Sequence, residues 1–430
     1  PSVPDDLAGY WVLDQIKETV REGGHKIVNL SLGPTLAVED DMEPNRWTSE
    51  LDQLAWDNDV LFVVAAGNDG DADREAGLHR VQVPADMANG LTVGACDAPS
   101  PAAKWSRAPY SSMGPGRHGN RVQPMGVQFG GASSQMFNVL RTDGTFLEAA
   151  GTSFAAPVVT HSLAELVNHL PRVNANVLRA FAVHFAERPR QHVKLRDEIG
   201  HGRLPLSFVD SLECNADEVH VLLIDDIQHG DLAGYQLPVP DAVSSQIKMR
   251  VTMVYSSPVD PTQPTEYTNA ALELSFRPHQ HRFTFKPPKG DNAKSVVLDL
   301  RSPDARALMT DGWSPSQEPA TKTLSTAKGR TEQQLRDAGK WETIRTHQIT
   351  LNPDEVDRPR LEVSYVARRA GGLDREPTEV PFAVLVTVTD PSSAGTLYDA
   401  VSAQFSALRP TQRATQRVRT RSASEQSIWR

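Results

Sequence analysis

The chain has 430 residues, 39% of them hydrophobic and 23% charged, with a formal net charge of -10. That length predicts two or three domains at roughly 100–200 residues each. The acidic balance excludes the basic face of a nucleic-acid binder, and no apolar run approaches the ~20 residues that span a bilayer.

Cys96 and Cys214 are the two cysteines, far apart in sequence. They make neither a disulfide framework nor a metal cluster and read as two buried thiols. Sparse cysteine favours a cytoplasmic over a secreted location. The chain begins at Pro1 rather than Met and shows no signal peptide, so further sequence is expected upstream.

In chain order, residues 7–22 place Leu7, Trp11, Ile16 and Val20 at near-helical spacing, closed by Gly23-Gly24. Lys26 to Leu30 reads as a short buried strand. The polar, acidic stretch from Thr35 to Glu50, with Glu39-Asp40-Asp41-Met42-Glu43, reads as a surface loop, and Leu51 to Asn58 as a helix. Val60 to Ala66 is continuously apolar, as a parallel strand covered on both faces must be. Leu91 to Cys96 is a further strand. Ser153 to Leu170 and Val177 to Glu187 carry apolar helical stripes. This order predicts an α/β layer over residues 1–213.

The pattern then changes. Val219 to Ile224, Ile247 to Tyr255, Ala271 to Phe276, Thr343 to Leu351, Leu361 to Ala367 and Pro381 to Thr389 are strand-like, many of them alternating apolar and polar residues. They predict an all-β sandwich or jelly-roll-like domain over 214–408, with long loops or an insertion in the polar stretch 286–340. Residues 409–430 form an Arg-rich tail expected to be disordered.

Three segments carry chemistry. In Gly151-Thr152-Ser153-Phe154-Ala155-Ala156-Pro157 a serine opens a helix, where free N–H groups and the helix dipole favour an oxyanion. Pro157 is read as lying near the first turn, where a missing N–H costs little. In Val63-Val64-Ala65-Ala66-Gly67-Asn68 a side-chain amide ends a buried strand. In Asn29-Leu30-Ser31-Leu32-Gly33-Pro34 a strand exit leaves backbone free to pair with an extended peptide. Taken alone, a turn asparagine and an ordinary strand exit explain the last two.

Together, in this order, the three segments resemble the subtilisin-like serine peptidases over about residues 7–213. Val83-Pro84-Ala85, Leu91-Thr92-Val93-Gly94-Ala95, Tyr110-Ser111-Ser112-Met113-Gly114-Pro115 and Gly200-His201-Gly202-Arg203-Leu204 agree. The resemblance implies part of a subtilisin-like parallel sheet flanked by helices, Ser153 as nucleophile, Asn68 in the oxyanion hole, and Ser31, Leu32, Gly33, Ala66 and Gly67 lining the substrate cleft. It also implies that Pro84 follows a cis bond, as it often does in the family. The family's Asp and His motifs precede its Ser-Leu-Gly strand, so both are expected upstream of Pro1. Asp5, Asp6, Asp14 and His25 do not sit in those motifs. His118-Gly119 lies in the wrong place for the base, and Met125 and Phe129 depart from the family's segment at Gln123 to Gly130. His161 and His184, on helices, read as core or interface residues.

The expected activity is endopeptidase cleavage through an acyl-enzyme, with a polypeptide as substrate and this fragment alone inactive. The other reading is a catalytically inactive pseudopeptidase or polypeptide-binding module. No metal or cofactor is needed for the chemistry. The family's structural calcium is an expectation without assigned ligands, and an AAA ATPase partner is one carried by some intracellular members.

Overall fold

The apolar run after Val60 becomes the centre of a sheet because its alternate side chains feed two different cores. The computed structural model describes residues 6, 9–39, 42–99, 103–241, 245–290, 292–317, 320–321, 329–367, 379–393, 395–405 and 408. Leu7 at the expected helix start, Asp5, Asp40 and Asp41, parts of the 286–340 stretch and the tail 409–430 lie outside the described residues.

Strands β1 (Ile27–Leu30), β2 (Leu61–Ala65), β3 (Leu91–Cys96) and β4 (Gly126–Phe129) pair in parallel in that order. Helices α1 (Tyr10–Arg21) and α2 (Arg46–Asn58) cover one face, burying Leu13, Trp47 and Leu51 with Phe62 and Val64 of β2. Helices α3 (Thr152–Val167) and α4 (Ala175–His184) cover the other, where Leu61 and Val63 meet Val159, Leu163 and Phe181. The period of two along β2 thus supplies both layers.

Helix α2 begins five residues before the expected Leu51, because Asn45 caps it: its side chain accepts the Trp47 N–H at 3.0 Å. The polar first turn hides this start from a hydrophobic pattern, although Trp47 and Thr48 are buried. The acidic stretch is likewise no pure surface loop, since Val38 is buried and its N–H donates to the Val81 carbonyl. A hairpin of β5 (Phe137–Leu140) and β6 (Phe146–Ala149) precedes α3, and a short α5 (Arg196–Ile199) follows α4.

Beyond residue 214 the strands are antiparallel. One sheet runs β14 (Ile344–Leu351), β9 (Ile247–Tyr255), β16 (Glu379–Thr389), β7 (Glu218–Gln228). A second runs β10 (Ala270–Arg277), β15 (Arg360–Ala367), β8 (Leu232–Gln236). Val251 and Val386 of the first share a core with Leu272 and Val363 of the second, which makes a sandwich. The polar stretch read as long loops folds in part: β12 (Val296–Asp299), β11 (Arg282–Lys286) and β13 (Ser314–Ser316) form a small sheet, accompanied by α6 (Pro303–Thr310) and α7 (Glu332–Asp337). Helix α8 (Leu397–Gln404) closes the described chain against the sandwich core through Leu397 and Val401.

Helix α4 faces two sheets at once, because Val254 of β9 and Ala383 and Leu385 of β16 join the core beneath the parallel sheet. At its end His184 is buried, Nδ1 2.9 Å from Thr252 Oγ1 and Nε2 2.8 Å from Thr387 Oγ1. Burial holds its pKa well below the usual imidazole range. Of the two readings for His161, core or interface, the structure excludes the core: its side chain is 75% exposed and faces Glu165 at 3.6 Å. Cys96 is buried, whereas Cys214 is only half-buried.

Polar groups complete the junction. Buried Asp52 accepts the Ala88 and Asn89 N–H groups at 2.9 and 2.8 Å and the Tyr267 hydroxyl at 2.7 Å. Asn89 exchanges two bonds with the Ser257 backbone, at 2.7 and 3.0 Å. Fully buried Arg179 donates to Ala88 O at 2.7 Å, Thr343 Oγ1 at 2.8 Å and Tyr255 O at 3.2 Å. Asp52→Ala leaves several buried donors without an acceptor and should cost about 3–5 kcal/mol in chemical denaturation. Burial pushes the Asp52 carboxyl up to about 6, against the bonds it accepts. That value lies above the ~3.9 of an unfolded aspartate. The folded chain therefore holds a proton the unfolded chain has released, and Asp52's contribution to stability falls as pH rises from about 4 to about 6. Denaturation of Asp52→Asn across that window should lack this component; an unchanged pH profile would show that Asp52 does not titrate there.

Candidate active site

The residues singled out in the sequence converge where β2 ends and α3 begins. Gly151, with extended backbone, offers no side chain to cap α3, so the cap comes from 84 residues away. The Thr152 N–H donates to Asn68 Oδ1 at 2.9 Å. The Thr152 hydroxyl lies 3.1 Å from the same Oδ1 and 3.3 Å from Gly67 O, and accepts the Gly67 N–H at 3.2 Å.

This clamp orients the Asn68 amide. The Thr152 N–H requires an acceptor, so Oδ1 takes that bond and Nδ2 is left as the free donor. Asn68 is exposed and Ser153 half-buried. Among the described residues, Asn68 Nδ2, the Ser153 N–H and Ser153 Oγ make no hydrogen bond. The Asn68 amide nitrogen sits beside Gly151, 3.6 Å from where a Cβ would stand there. A half-buried serine hydroxyl at a helix N-terminus, with two free N–H donors at the same junction, is an arrangement suited to an anionic tetrahedral centre.

Pro157 differs in position from its sequence reading. It is the sixth residue of α3, inside the helix, and its missing N–H leaves the Ser153 carbonyl without its i+4 donor. The Ser31 hydroxyl supplies the bond instead, at 3.3 Å. Ser31 Oγ in turn accepts from Asn29 Nδ2 at 3.2 Å, and Asn29 Oδ1 accepts from Thr160 Oγ1 at 3.1 Å. The exit of β1 is thereby tied to α3 at two points, at Ser153 and at Thr160.

Leu32 is 51% exposed beside this bond. Gly33 lies so close to the next strand exit that a Cβ would come within 2.4 Å of Val83 O and 2.8 Å of Pro84 Cδ, and the Val83–Pro84 bond is cis. Gly67 has φ 105° and admits no Cβ either, which would meet Gln82 Cγ at 2.6 Å. Ala66 is buried. The Gln82 amide donates to the Asp69 carboxylate, so a polar pair fills the space against Gly67. Phe154 stacks on Phe137 at 5.4 Å and Phe137 on Phe129 at 5.7 Å, which fixes the β5–β6 hairpin to the start of α3.

Other sequence candidates lie elsewhere. His118 is buried in a loop whose Gly119 faces Thr268 and Trp341, while the Arg121 N–H donates to Glu342 at 2.7 Å. Asp6 caps α1 through the Tyr10 and Trp11 N–H groups, and Asp14 pairs with Arg46 at 3.3 Å. His25 is exposed. Among the described residues, no three His, Cys, Asp or Glu side chains gather into a group that would hold a metal ion. Sequence reasoning missed Thr152 as the orienting residue, although it stands inside the nucleophile segment, and missed Asp69 as the partner of Gln82.

The link between Ser31 and Pro157 is testable by a double-mutant cycle. Ser31→Ala should cost about 1 kcal/mol by denaturation. In Pro157→Ala the restored N–H takes over the Ser153 carbonyl, so the same serine deletion should cost close to nothing there. Equal costs in both backgrounds would show that the hydroxyl does not substitute for the missing helix bond.

The subtilase family profile matches residues 2–202 of the chain. The uncharacterized protein y4bN of Sinorhizobium fredii is 26% identical over 328 residues, covering 61% of this chain and 74% of that protein. A subtilase cytotoxin component of Escherichia coli is 26% identical over 212 residues, covering 47% of this chain and 58% of the toxin component. Among solved structures, a mutant of the protease domain of PatA is 25% identical with a TM-score of 0.34, over 46% of this chain and 64% of that one. The subtilase cytotoxin assembly gives 22% and 0.38, over 49% and 66%.

Proposed function

Residues 2–202 belong to the subtilase family, and on that premise we propose that the protein cleaves polypeptides through an acyl-enzyme on Ser153. Ser153 Oγ attacks the scissile carbonyl and the Oγ–C bond forms. The proton passes to a histidine, which an aspartate orients, and from it to the leaving amine as the C–N bond breaks. Both partners belong to sequence upstream of Pro1 in this reading. Water then hydrolyses the ester. Asn68 Nδ2 and the Ser153 N–H bond the oxyanion, and residues 31–33 pair with the extended substrate.

The observation that carries the reading is the Thr152 clamp, which holds Asn68 Oδ1 and leaves its Nδ2 a free donor next to Gly151. A protein that only holds peptide has no use for a donor fixed at that point. The family match supports a serine peptidase, and the clamp supports a working one. General-base catalysis contributes ~10²–10⁴ in rate, so the chain without its upstream partners is close to inactive.

The Gln82–Asp69 pair against Gly67 makes the principal side-chain pocket short and polar in this reading, suited to small or basic residues before the scissile bond. Gln82→Ala should shift cleavage of a peptide library toward larger side chains; an unchanged profile would place the pocket elsewhere.

A fluorophosphonate probe on the full-length product should label Ser153, and Ser153→Ala should abolish both labelling and peptide hydrolysis. Asn68→Ala should retain labelling weakly and lose about 10²–10³ in kcat. Full-length protein that neither labels nor cleaves would favour the pseudopeptidase or binding module instead.

A further inference from the structure

One face of the β14-β9-β16-β7 sheet changes character along its length. At one end Ile344, Val254, Ala383 and Leu385 are covered by α4. Beyond Thr252 and Thr387, which bond to His184, the same face turns wholly polar. Strand register sets Gln348, Arg250, Thr387 and His220 in one cross-strand row and Thr350, Lys248, Thr389 and Glu218 in the next. Phe185, at the end of α4, walls these rows into a concavity of about 650 Å³. That volume is typical of a small-molecule site, typically about 300–1,000 Å³.

The charge in this concavity is unbalanced. Arg250 is half-buried and its Nη1 donates to the His184 carbonyl at 2.8 Å. Among the described residues no carboxylate lies within ion-pair distance of it. Burial lowers its pKa. Lys248 adds an exposed second cation two residues along β9. The opposing charge is Glu218, already engaged by Asn215 Nδ2 at 2.8 Å and Thr389 Oγ1 at 3.4 Å. Burial lowers the pKa of His220 and takes that of His184 well below the usual imidazole range. Cations withdrawn from water are normally paired, so the half-buried Arg250 guanidinium without a carboxylate partner, beside Lys248, marks a place for an anion.

We propose that this concavity binds the phosphate group of a small phosphorylated ligand, with Arg250 and Lys248 supplying charge and Gln348 and Thr350 the neutral donors around it. Several donors of different kinds on a shallow arc suit a group with many acceptor oxygens better than a carboxylate with two. The concavity exceeds the size of a bare phosphate ion, which leaves room for an organic portion against Phe185.

Calorimetry on the full-length protein at fixed ionic strength tests this, with inorganic phosphate, phosphoserine and acetate as probes. Phosphate and phosphoserine should bind saturably and acetate should not. Tighter phosphoserine assigns a phosphate monoester, and tighter inorganic phosphate assigns the free ion. Lys248→Gln, at an exposed position, and Arg250→Gln should each weaken binding by about 10- to 100-fold. Absence of saturable phosphate binding, acetate binding of equal strength, or binding unchanged in folded Lys248→Gln would overturn the assignment.

Discussion

The bonds from Thr152 to the Asn68 side chain fasten the end of a buried strand to the start of the helix packed beneath it. Both elements are rigid for independent reasons. β2 is apolar on both faces, and α3 buries Val159, Leu163 and Leu166 without exposure. A side-chain clamp between two such elements has little freedom to relax. The positions of Ser153, of the Ser31 hydroxyl behind it and of Gly67 against Gln82 all follow from that one junction. In the proposed reaction the donors therefore need no reorganisation as charge develops, which is where catalytic stabilisation is gained.

Proline 157 shows how a local defect is turned into a tertiary link. An interior proline ordinarily costs a helix about 3 kcal/mol or more through its lost bond and its ring. Here the orphaned carbonyl belongs to Ser153 itself, and the residue that satisfies it comes from the strand exit read as the cleft wall. The helix start and the cleft are thus held in register by a bond that a regular helix would not have left available.

Much of this was legible in the sequence, and the reason differs from element to element. β2 and α3 could be read because burial on fixed periods leaves a pattern, and Ser31, Asn68 and Ser153 because their order and neighbours resemble a known family. The cis bond at Pro84 followed from the same resemblance. The early start of α2 was hidden because a polar cap, not an apolar stripe, decides it. The exposure of His161 was hidden because a helix position alone does not say which side its neighbours cover. The small sheet around β11 was hidden because its strands have only three to five residues and lie in or beside a polar, Pro-rich stretch. The Thr152 clamp and the Arg250 environment are contacts between distant segments, and no local pattern announces them.

Helix α4 is walled by the parallel sheet on one side and by β9 and β16 on the other. Its second wall is complete only with β16, roughly 200 residues downstream, and a ribosome working at about 5–20 residues per second takes about 10–40 s to deliver it. Through that interval the nascent α/β layer carries a half-covered apolar helix, and the Arg179 guanidinium lacks its acceptors at Tyr255 and Thr343. The layer that bears Ser153 therefore keeps one face of α4 open until the sandwich strands have emerged, and a chain halted before β16 would expose that face.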